Sequence, residues 1–296
     1  MRGHNMKTKT EAKKTLKKKK EKKIIQLEEL SWKKIDSLSR EKTIFFLPIS
    51  PMEEHGPHLP VGTDFLTAKD TAKEAIKILN KKKPDLTYIL MPAIPLGYSK
   101  VGSDFPGTIS ADIKTIKNIV YSTVSSLAKH GFKYFLVCTY HMEPGHLKGI
   151  YLGMKKASRK YDIKIYEPSG PYFYNKEVEK REPKLGFDTQ KELHGGFRET
   201  SLMKYQYPYL VDENYKELQS IYIDLYSPRV IGKTFKQLGI KDGYIGSPAR
   251  ADSDYGRWFF QETVNLYVRS AIDLYEGKKL PELPRPIKLL IKTPSF

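Results

Sequence analysis

The sequence predicts an α/β fold with a mostly parallel central sheet that is covered by helices on both faces. Short apolar runs of buried-strand length alternate with longer segments of helical periodicity between residues 43 and 168. The 296 residues, of which 39% are apolar and 12% aromatic, suffice for one substantial core. The sequence contains no internal repeat and no convincing linker, so one folded unit is expected.

The first half of the chain begins with a capped helix and a buried strand. Ser31 is a suitable N-cap for a short helix in SWKKIDSLSRE. The continuous apolar run TIFFLPIS (43–50) predicts a strand buried on both faces. The next expected elements are a helix over 64–80, a strand LTYILMPAIPL (86–96) and a helix over 112–130.

The second half starts with the same alternation and then becomes irregular. The expected elements are a strand KYFLVCTY (133–140), a helix over 146–158, a strand IKIYEP (163–168) and a last helix over 257–275. The Pro-rich end, residues 280–296, is expected either to pack on a neighbouring molecule as an extended arm or to be loose.

Half of the net positive charge lies in the first 23 residues. They hold Arg2 and ten lysines against Glu11 and Glu21, a net +9 of the total formal charge of +18. This low-complexity segment is predicted to be a disordered tail. We therefore expect a tail at 1–23, a folded domain at 24–279 and a C-terminal extension at 280–296. A nucleic-acid-binding protein that acts through the lysine-rich tail is the competing functional hypothesis.

Cysteine usage and hydropathy indicate the compartment. Cys138 is the only cysteine, which excludes an intramolecular disulfide and fits a reducing compartment, so a cytoplasmic location is expected. No apolar run approaches the ~20 residues that span a bilayer. Lysines stand where a signal peptide needs an apolar segment. We therefore expect no membrane partner and no secretion.

Two pairs of metal-binding residue types follow two of the predicted strands. Glu53 and His55 stand at i and i+2, so an extended backbone points both side chains the same way. His141 and Glu143 repeat this spacing after another strand, and Asp64 ends the Pro/Gly-rich loop that follows the first pair. Two metal ions ~3.5–4 Å apart need a bridging group, for which a carboxylate is well suited. Nitrogen and oxygen ligands without a thiolate suit Zn or Mn, or Fe.

The stretch PISPMEEHGPHLPVGTD resembles the signature of the creatininase (creatinine amidohydrolase) family. Three further blocks match in order: GYSKVGSDFPGTIS resembles the substrate loop, and HGGFRETS and GYIGSPARADSDYGR resemble later family motifs. The resemblance covers roughly residues 25–275. It implies a creatininase-like three-layer α/β/α sandwich, a binuclear metal amidohydrolase with two divalent ions, and a homo-oligomer, usually a hexamer.

The resemblance also implies site residues. Glu53, Asp64 and His141 would hold one ion. The other would take His55, Asp64 and a second glutamate, for which Glu143 ranks slightly before Glu199. The remaining glutamate, Glu199, would then act in catalysis together with His194, which protonates the leaving nitrogen. Ser99 in the substrate loop and Met142 beside the metal histidine are the expected substrate contacts.

The expected reaction is hydrolysis of a C–N bond in a small cyclic amide, formamide or other amide by a hydroxide that bridges the metals. Some positions depart from the family pattern, and these are Glu54, Gly102, the pair Thr139 and Tyr140, and Lys191. Because the departures lie at substrate contacts rather than at the metals, a substrate other than creatinine is expected. A metal-binding protein without catalysis is the third hypothesis.

Overall fold

The centre of the protein is a five-stranded parallel sheet. The computed structural model describes residues 23–223, 230 and 232–293. The strands are β1 (Ile25–Gln26), β2 (Thr43–Pro48), β3 (Thr87–Leu90), β4 (Tyr134–Cys138) and β5 (Lys164–Tyr166). Their order is β1-β3-β2-β4-β5, and every neighbouring pair is parallel. The predicted fold class is confirmed, whereas all but the last residue of the predicted tail lies outside the described residues.

Helices cover both faces of this sheet. They are α1 (Trp32–Asp36), α2 (Thr63–Lys82), α3 (Ile113–Ala128), α4 (Pro144–Lys160), α5 (Ser169–Tyr174), α6 (Glu177–Arg181), α7 (Phe197–Gln206), α8 (Ser253–Glu276) and α9 (Arg285–Lys292). Helices α2 and α8 pack on one face, and α3 and α4 pack on the other, which gives three layers. None of the helices in the described ranges has both the length and the apolar character to cross a membrane.

Strand β2 shows why a continuous apolar run forms the middle of the sheet. Successive side chains of a strand point to opposite faces. Ile44 and Phe46 therefore join the core under α2 and α8, while Phe45 and Leu47 join the core under α3 and α4. All four side chains are buried. Since both faces are covered, polar alternation is absent from the strand.

The strand order places a crevice beside β2. The chain leaves β2 for β3 on one side and then crosses over to β4 on the other side, so the connections diverge between β2 and β4. Ligands of open parallel sheets bind at such a switch point, outside the carboxyl ends of the strands. Both predicted ligand pairs follow these two strands directly.

A close contact between α7 and α8 fixes the helix that carries Glu199. A Cβ atom at Gly256 would lie 1.9 Å from the carbonyl oxygen of Ser201. We expect Gly256→Ala to lower the free energy of unfolding by about 1–3 kcal/mol, because the two helices must separate. Urea denaturation measures the change. Gln261→Ala, at an exposed position of α8, should stay within about 0.5 kcal/mol of the wild type, and an equally small effect at Gly256 would contradict this packing.

The C-terminal segment is neither extended nor loose in the part that the structure describes. Residues 285–292 form α9, whose Ile287 and Ile291 are buried in a cluster with Leu147 of α4 and Leu283. The Pro-rich composition suggested extended chain, but Pro286 lies in the first turn, where a helix loses no hydrogen bond to proline. The segment therefore belongs to the wall of the domain.

Candidate metal centre

The loop after β2 returns two carboxylates to the same place. The backbone N–H of Glu53 donates to the carbonyl of Val61 at 2.9 Å, which closes the loop. Asp64 then falls in the first turn of α2, where the helix dipole stabilises a negative charge. Both side chains are only 1% exposed. Burial of two carboxylates side by side requires compensating positive charge.

Asp64 faces two histidines with its two oxygens. Its Oδ1 lies 3.3 Å from Nε2 of His55, and its Oδ2 lies 3.0 Å from Nδ1 of His141. A histidine from the loop after β2 and a histidine from the loop after β4 therefore meet at one carboxylate. A carboxylate that presents one oxygen to each of two nitrogens has the arrangement expected of a bridge.

A second carboxylate completes the surroundings of each histidine. Oε2 of Glu53 lies 2.9 Å from Nδ1 of His141, and Oε2 of Glu199 lies 3.7 Å from Nε2 of His55. Two sets of three residues result, each with its ligand atoms within 4.8 Å of one another and both containing Asp64. We call the five residues Glu53, His55, Asp64, His141 and Glu199 the carboxylate–histidine cluster.

Backbone carbonyls orient the two histidines toward the cluster. Nδ1 of His55 donates to the carbonyl of Glu53 at 3.0 Å, and Nε2 of His141 donates to the carbonyl of Tyr98 at 3.0 Å. The opposite nitrogen of each ring therefore faces the carboxylates, as in metal-binding histidines. Nε2 of His55 and Oε2 of Glu53 are buried without a hydrogen-bond partner. Buried orphan atoms of these types fit a metal site.

His146 is a further component that the sequence analysis missed. Its Nδ1 accepts from the backbone N–H of Tyr98 at 3.3 Å, and its Nε2 lies 3.0 Å from the hydroxyl of Thr139. Burial and the neighbouring charge of His141 lower the pKa of His146 to about 3, so the ring is neutral. It holds the segment whose carbonyl orients His141. The second histidine of HMEPGH is the signal that could have identified it.

Glu143 lies outside both sets of three residues. It occupies the N-cap position of α4, and its Oε2 accepts from the backbone N–H of Lys100 at 3.0 Å. The same oxygen is 3.6 Å from Nε2 of His141, the ring nitrogen that points away from the cluster. The start of α4 at Pro144 turns this carboxylate aside. By this geometry Glu199 is better placed than Glu143 to hold the second ion, and the choice between them stays a prediction.

The two expected substrate contacts lie in different places. The hydroxyl of Ser99 is fully buried and donates to Oε1 of Glu53 at 2.6 Å, so it holds a cluster residue in position. Met142 lines a cavity of about 590 Å³ that also contains the cluster at its wall. Ser99 therefore supports the cluster from behind, and Met142 faces the space in front of it.

His194 reaches the cluster because the HGGFRETS and GYIGSPAR blocks hold each other. His194 and Ile245 form an antiparallel bridge, in which the N–H of Ile245 donates to the carbonyl of His194 at 2.6 Å. Gly195 has a φ of +57°, and a Cβ there would lie 2.7 Å from the carbonyl oxygen of His55. Glycine is required for this close approach.

The ring of His194 lies beside the cluster, tilted against the ring of His55. Its centroid lies 4.2 Å from that of His55, and its Nε2 donates to the carbonyl of Glu54 at 2.6 Å. One ring nitrogen also comes close enough to Glu53 and His55 to share an ion with them. His194 therefore adjoins both predicted ligands of the first loop.

Glu192 joins the two blocks and was not singled out from the sequence. Its Oε2 accepts from the backbone N–H groups of Phe197 and Ser247 at 2.7 and 2.8 Å. Lys191, one residue earlier, is exposed. The buried carboxylate thus fixes the turn that carries His194.

The sequence profile of one family, described as Creatininase: Creatinine amidohydrolase, matches residues 28–271. This match covers most of the chain, including every residue of the cluster. The chain belongs to the creatininase family. The resemblance inferred from the four sequence blocks is therefore confirmed, and the family consists of hydrolases that act on C–N bonds.

Individual creatininase relatives agree with this assignment. The chain is 29% identical over 198 residues to a creatinine amidohydrolase of Pseudomonas putida, which spans 62% of this chain and 72% of the relative. A structure described as creatininase Mn is 23% identical and has a TM-score of 0.69 over 86% of this chain and 99% of its own. A mutant creatininase complexed with creatine is 24% identical, with a TM-score of 0.69 over the same shares.

The low identities mark this chain as a divergent member of the creatininase family, and the structural similarity supports the fold. The nucleic-acid hypothesis gains no support from these relatives, and the tail on which it depends lies outside the described residues.

The buried carboxylates and histidines of this creatininase-family centre shift one another's pKa values. Burial would raise the pKa of Asp64, but His55 and His141 outweigh it and hold that pKa well below its usual range. The same balance, with His141 as the main opposing charge, lowers the pKa of Glu53 to about 2. Burial would lower the pKa values of His55 and His141, but the facing carboxylates raise both well above their usual value. Without metal, protons on the histidines thus balance the carboxylates.

This balance predicts a pH dependence of the metal-free protein. A histidine whose pKa is raised by folding stabilises the native state below its unfolded pKa of ~6.5, and that stability is lost as the pH rises through the raised value. We expect the melting temperature of chelator-treated protein to fall as the pH rises above about 7. Metal-loaded protein should show no such fall, because ions replace the protons. Equal pH profiles for both forms would contradict the prediction.

Proposed function

We propose that the chain is a binuclear metal-dependent amidohydrolase. Glu53, Asp64 and His141 would hold one ion, and His55, Asp64 and Glu199 the other. The observation that carries this proposal is the position of Asp64, whose two oxygens face two different histidines at 3.3 and 3.0 Å. Such an arrangement serves two ions better than one.

The ligand types restrict the choice of ions. Each set combines one imidazole nitrogen with two carboxylates and no thiolate, which suits Zn or Mn, or Fe. A pair of such ions would polarise an amide carbonyl and lower the pKa of a water molecule toward neutrality.

His194 is the proposed proton carrier. Its Nε2–H is engaged by the carbonyl of Glu54, so proton exchange falls to Nδ1, for which the structure gives no hydrogen bond within the described ranges. This nitrogen would take a proton from the attacking water and deliver it to the leaving nitrogen. The oxygen of the water forms a bond to the carbonyl carbon and the C–N bond breaks, which yields a carboxylic acid and an amine.

The proposed substrates are small cyclic amides, formamides or other amides. A relative that carries the name creatinine amidohydrolase supports this class. Met142 would contact the substrate because it lines the cavity, whereas Ser99 would act by positioning Glu53. A homo-oligomer, with a hexamer as the first expectation, stays a prediction from the family.

The test combines metal analysis with a hydrolysis screen. Purified protein should bind two ions per chain and hydrolyse at least one compound in a panel of lactams, formamides and carboxamides. His194→Asn should keep both ions and lose at least about 10²-fold in kcat, the usual contribution of a positioned acid or base. Full activity of this variant would exclude the proton-carrier role, and a single ion in the wild type would exclude the binuclear centre.

A further inference from the structure

The cavity beside the cluster extends to the C-terminal helix. Glu53, Asp64 and His141 contribute to its lining, and we call the part of the cavity beside them the cluster end. The lining also includes Pro286, Ile287 and Leu290 of α9 and the apolar and aromatic side chains Met142, Phe173 and Tyr174, and we call the part beside them the apolar end. The cluster end and the apolar end therefore belong to one continuous space.

The far wall lies outside the part of the chain that matches the family. The match ends at residue 271, whereas α9 spans Arg285–Lys292. The wall is nevertheless built firmly. The hydroxyl of Tyr166 donates to the carbonyl of Pro281 at 2.9 Å, and the side chain of Asn175 donates to the carbonyl of Glu282 at 3.0 Å. The segment that shapes this end of the cavity is thus fixed to the domain.

The size and lining of the cavity exceed the needs of a small amide. A volume of about 590 Å³ equals that of on the order of 20 water molecules. Ligand sites are typically apolar with a few convergent polar groups, and the metal-binding residues of the cluster are such groups here. Since amide chemistry needs only the cluster end, the apolar end is available for another part of the substrate.

We propose that α9 selects amides that carry a large apolar or aromatic substituent, with the amide at the cluster and the substituent against Leu290 and Met142. This inference rests on the proposed function, because the cluster must hold the amide end. It assigns a role in substrate specificity to α9, which lies beyond the family match.

Two hydroxamates that differ only by a phenyl group provide the test. Acetohydroxamate and phenylacetohydroxamate carry the same metal-chelating group, and calorimetric titration of the metal-loaded protein measures their affinities without any need for turnover. We expect phenylacetohydroxamate to bind about tenfold more tightly or better, because its ring would be buried against α9. Leu290→Gln should bring the affinity for phenylacetohydroxamate down to about that for acetohydroxamate. The affinity for acetohydroxamate itself should stay unchanged.

Leu289→Gln is the matched control. Leu289 is the neighbouring residue of α9 and is 54% exposed, so this variant should keep the preference for the phenyl compound. Met142→Gln, on another side of the cavity, should reduce the preference and provides a second variant if Leu290→Gln does not fold. Equal affinity of the wild type for both hydroxamates would overturn the role of α9 alone. If neither compound binds, the metal centre is overturned and the inference with it.

Discussion

Replacing Asp64 with alanine is expected to empty both halves of the metal centre at once. Each proposed ion would be held in part by this carboxylate, and each proposed set would keep only two of its three ligands after its removal. Hydrolysis should fall to the background rate, because both the activated water and the polarised carbonyl depend on the ions. Elemental analysis of the purified variant, beside a kinetic assay, measures both effects.

Two further variants make this result specific. Glu53→Ala should lose mainly one ion, because Glu53 belongs to only one of the two sets that share Asp64. Glu74→Ala changes a partly exposed residue of α2, the helix that also carries Asp64, and should keep both ions and full activity. Two ions still bound to folded Asp64→Ala would rule out the bridging role.

Glu199→Gln is expected to lose the ion beside His55 and to reduce kcat by about 10³-fold. The neutral amide removes one of the two carboxylates of that set, and an ion contributes several kcal/mol to transition-state stabilisation, at 1.36 kcal/mol for each factor of ten. Glu143→Gln should keep both ions, since its carboxylate faces the opposite side of the His141 ring. Metal content and kcat of the two purified variants decide between the glutamates.

The two glutamate variants serve as controls for each other. Loss of an ion only in Glu143→Gln would restore the ranking inferred from the sequence and would require the Glu143 side chain to rotate away from the backbone N–H of Lys100. Loss in both variants would mean that the second ion recruits both carboxylates.

Sequence patterns located the sheet because its strands are buried on both faces. TIFFLPIS and KYFLVCTY contain β2 and β4, and the capped helix begins after Ser31 as expected. The run at 86–96 gave too long a strand, since β3 ends at Leu90. Pro92 and Pro95 lack the N–H groups that a central strand needs.

The positions of site residues were predictable where the local backbone determines the direction in which the side chains point. The i, i+2 spacing brought Glu53 and His55 to the same cluster, as expected for extended backbone. The same spacing did not bring Glu143 into the cluster, because a helix begins at the next residue. The position of Glu199 in the cluster depends on the pairing of His194 with Ile245. This contact joins distant segments, so spacing along the chain does not reveal it.

The cluster also gathers parts of the chain that are far apart in sequence. Asp64 and His141 are separated by 77 positions, and Glu199 comes from a third segment. Ions held there would fasten these segments together in the native state only. Such binding stabilises a protein by about 4 kcal/mol when the free ion exceeds its Kd a thousandfold. Starvation for metal would then expose the chain to proteolysis, so that the cellular amount of this protein, and not only its activity, would follow the supply of the ion.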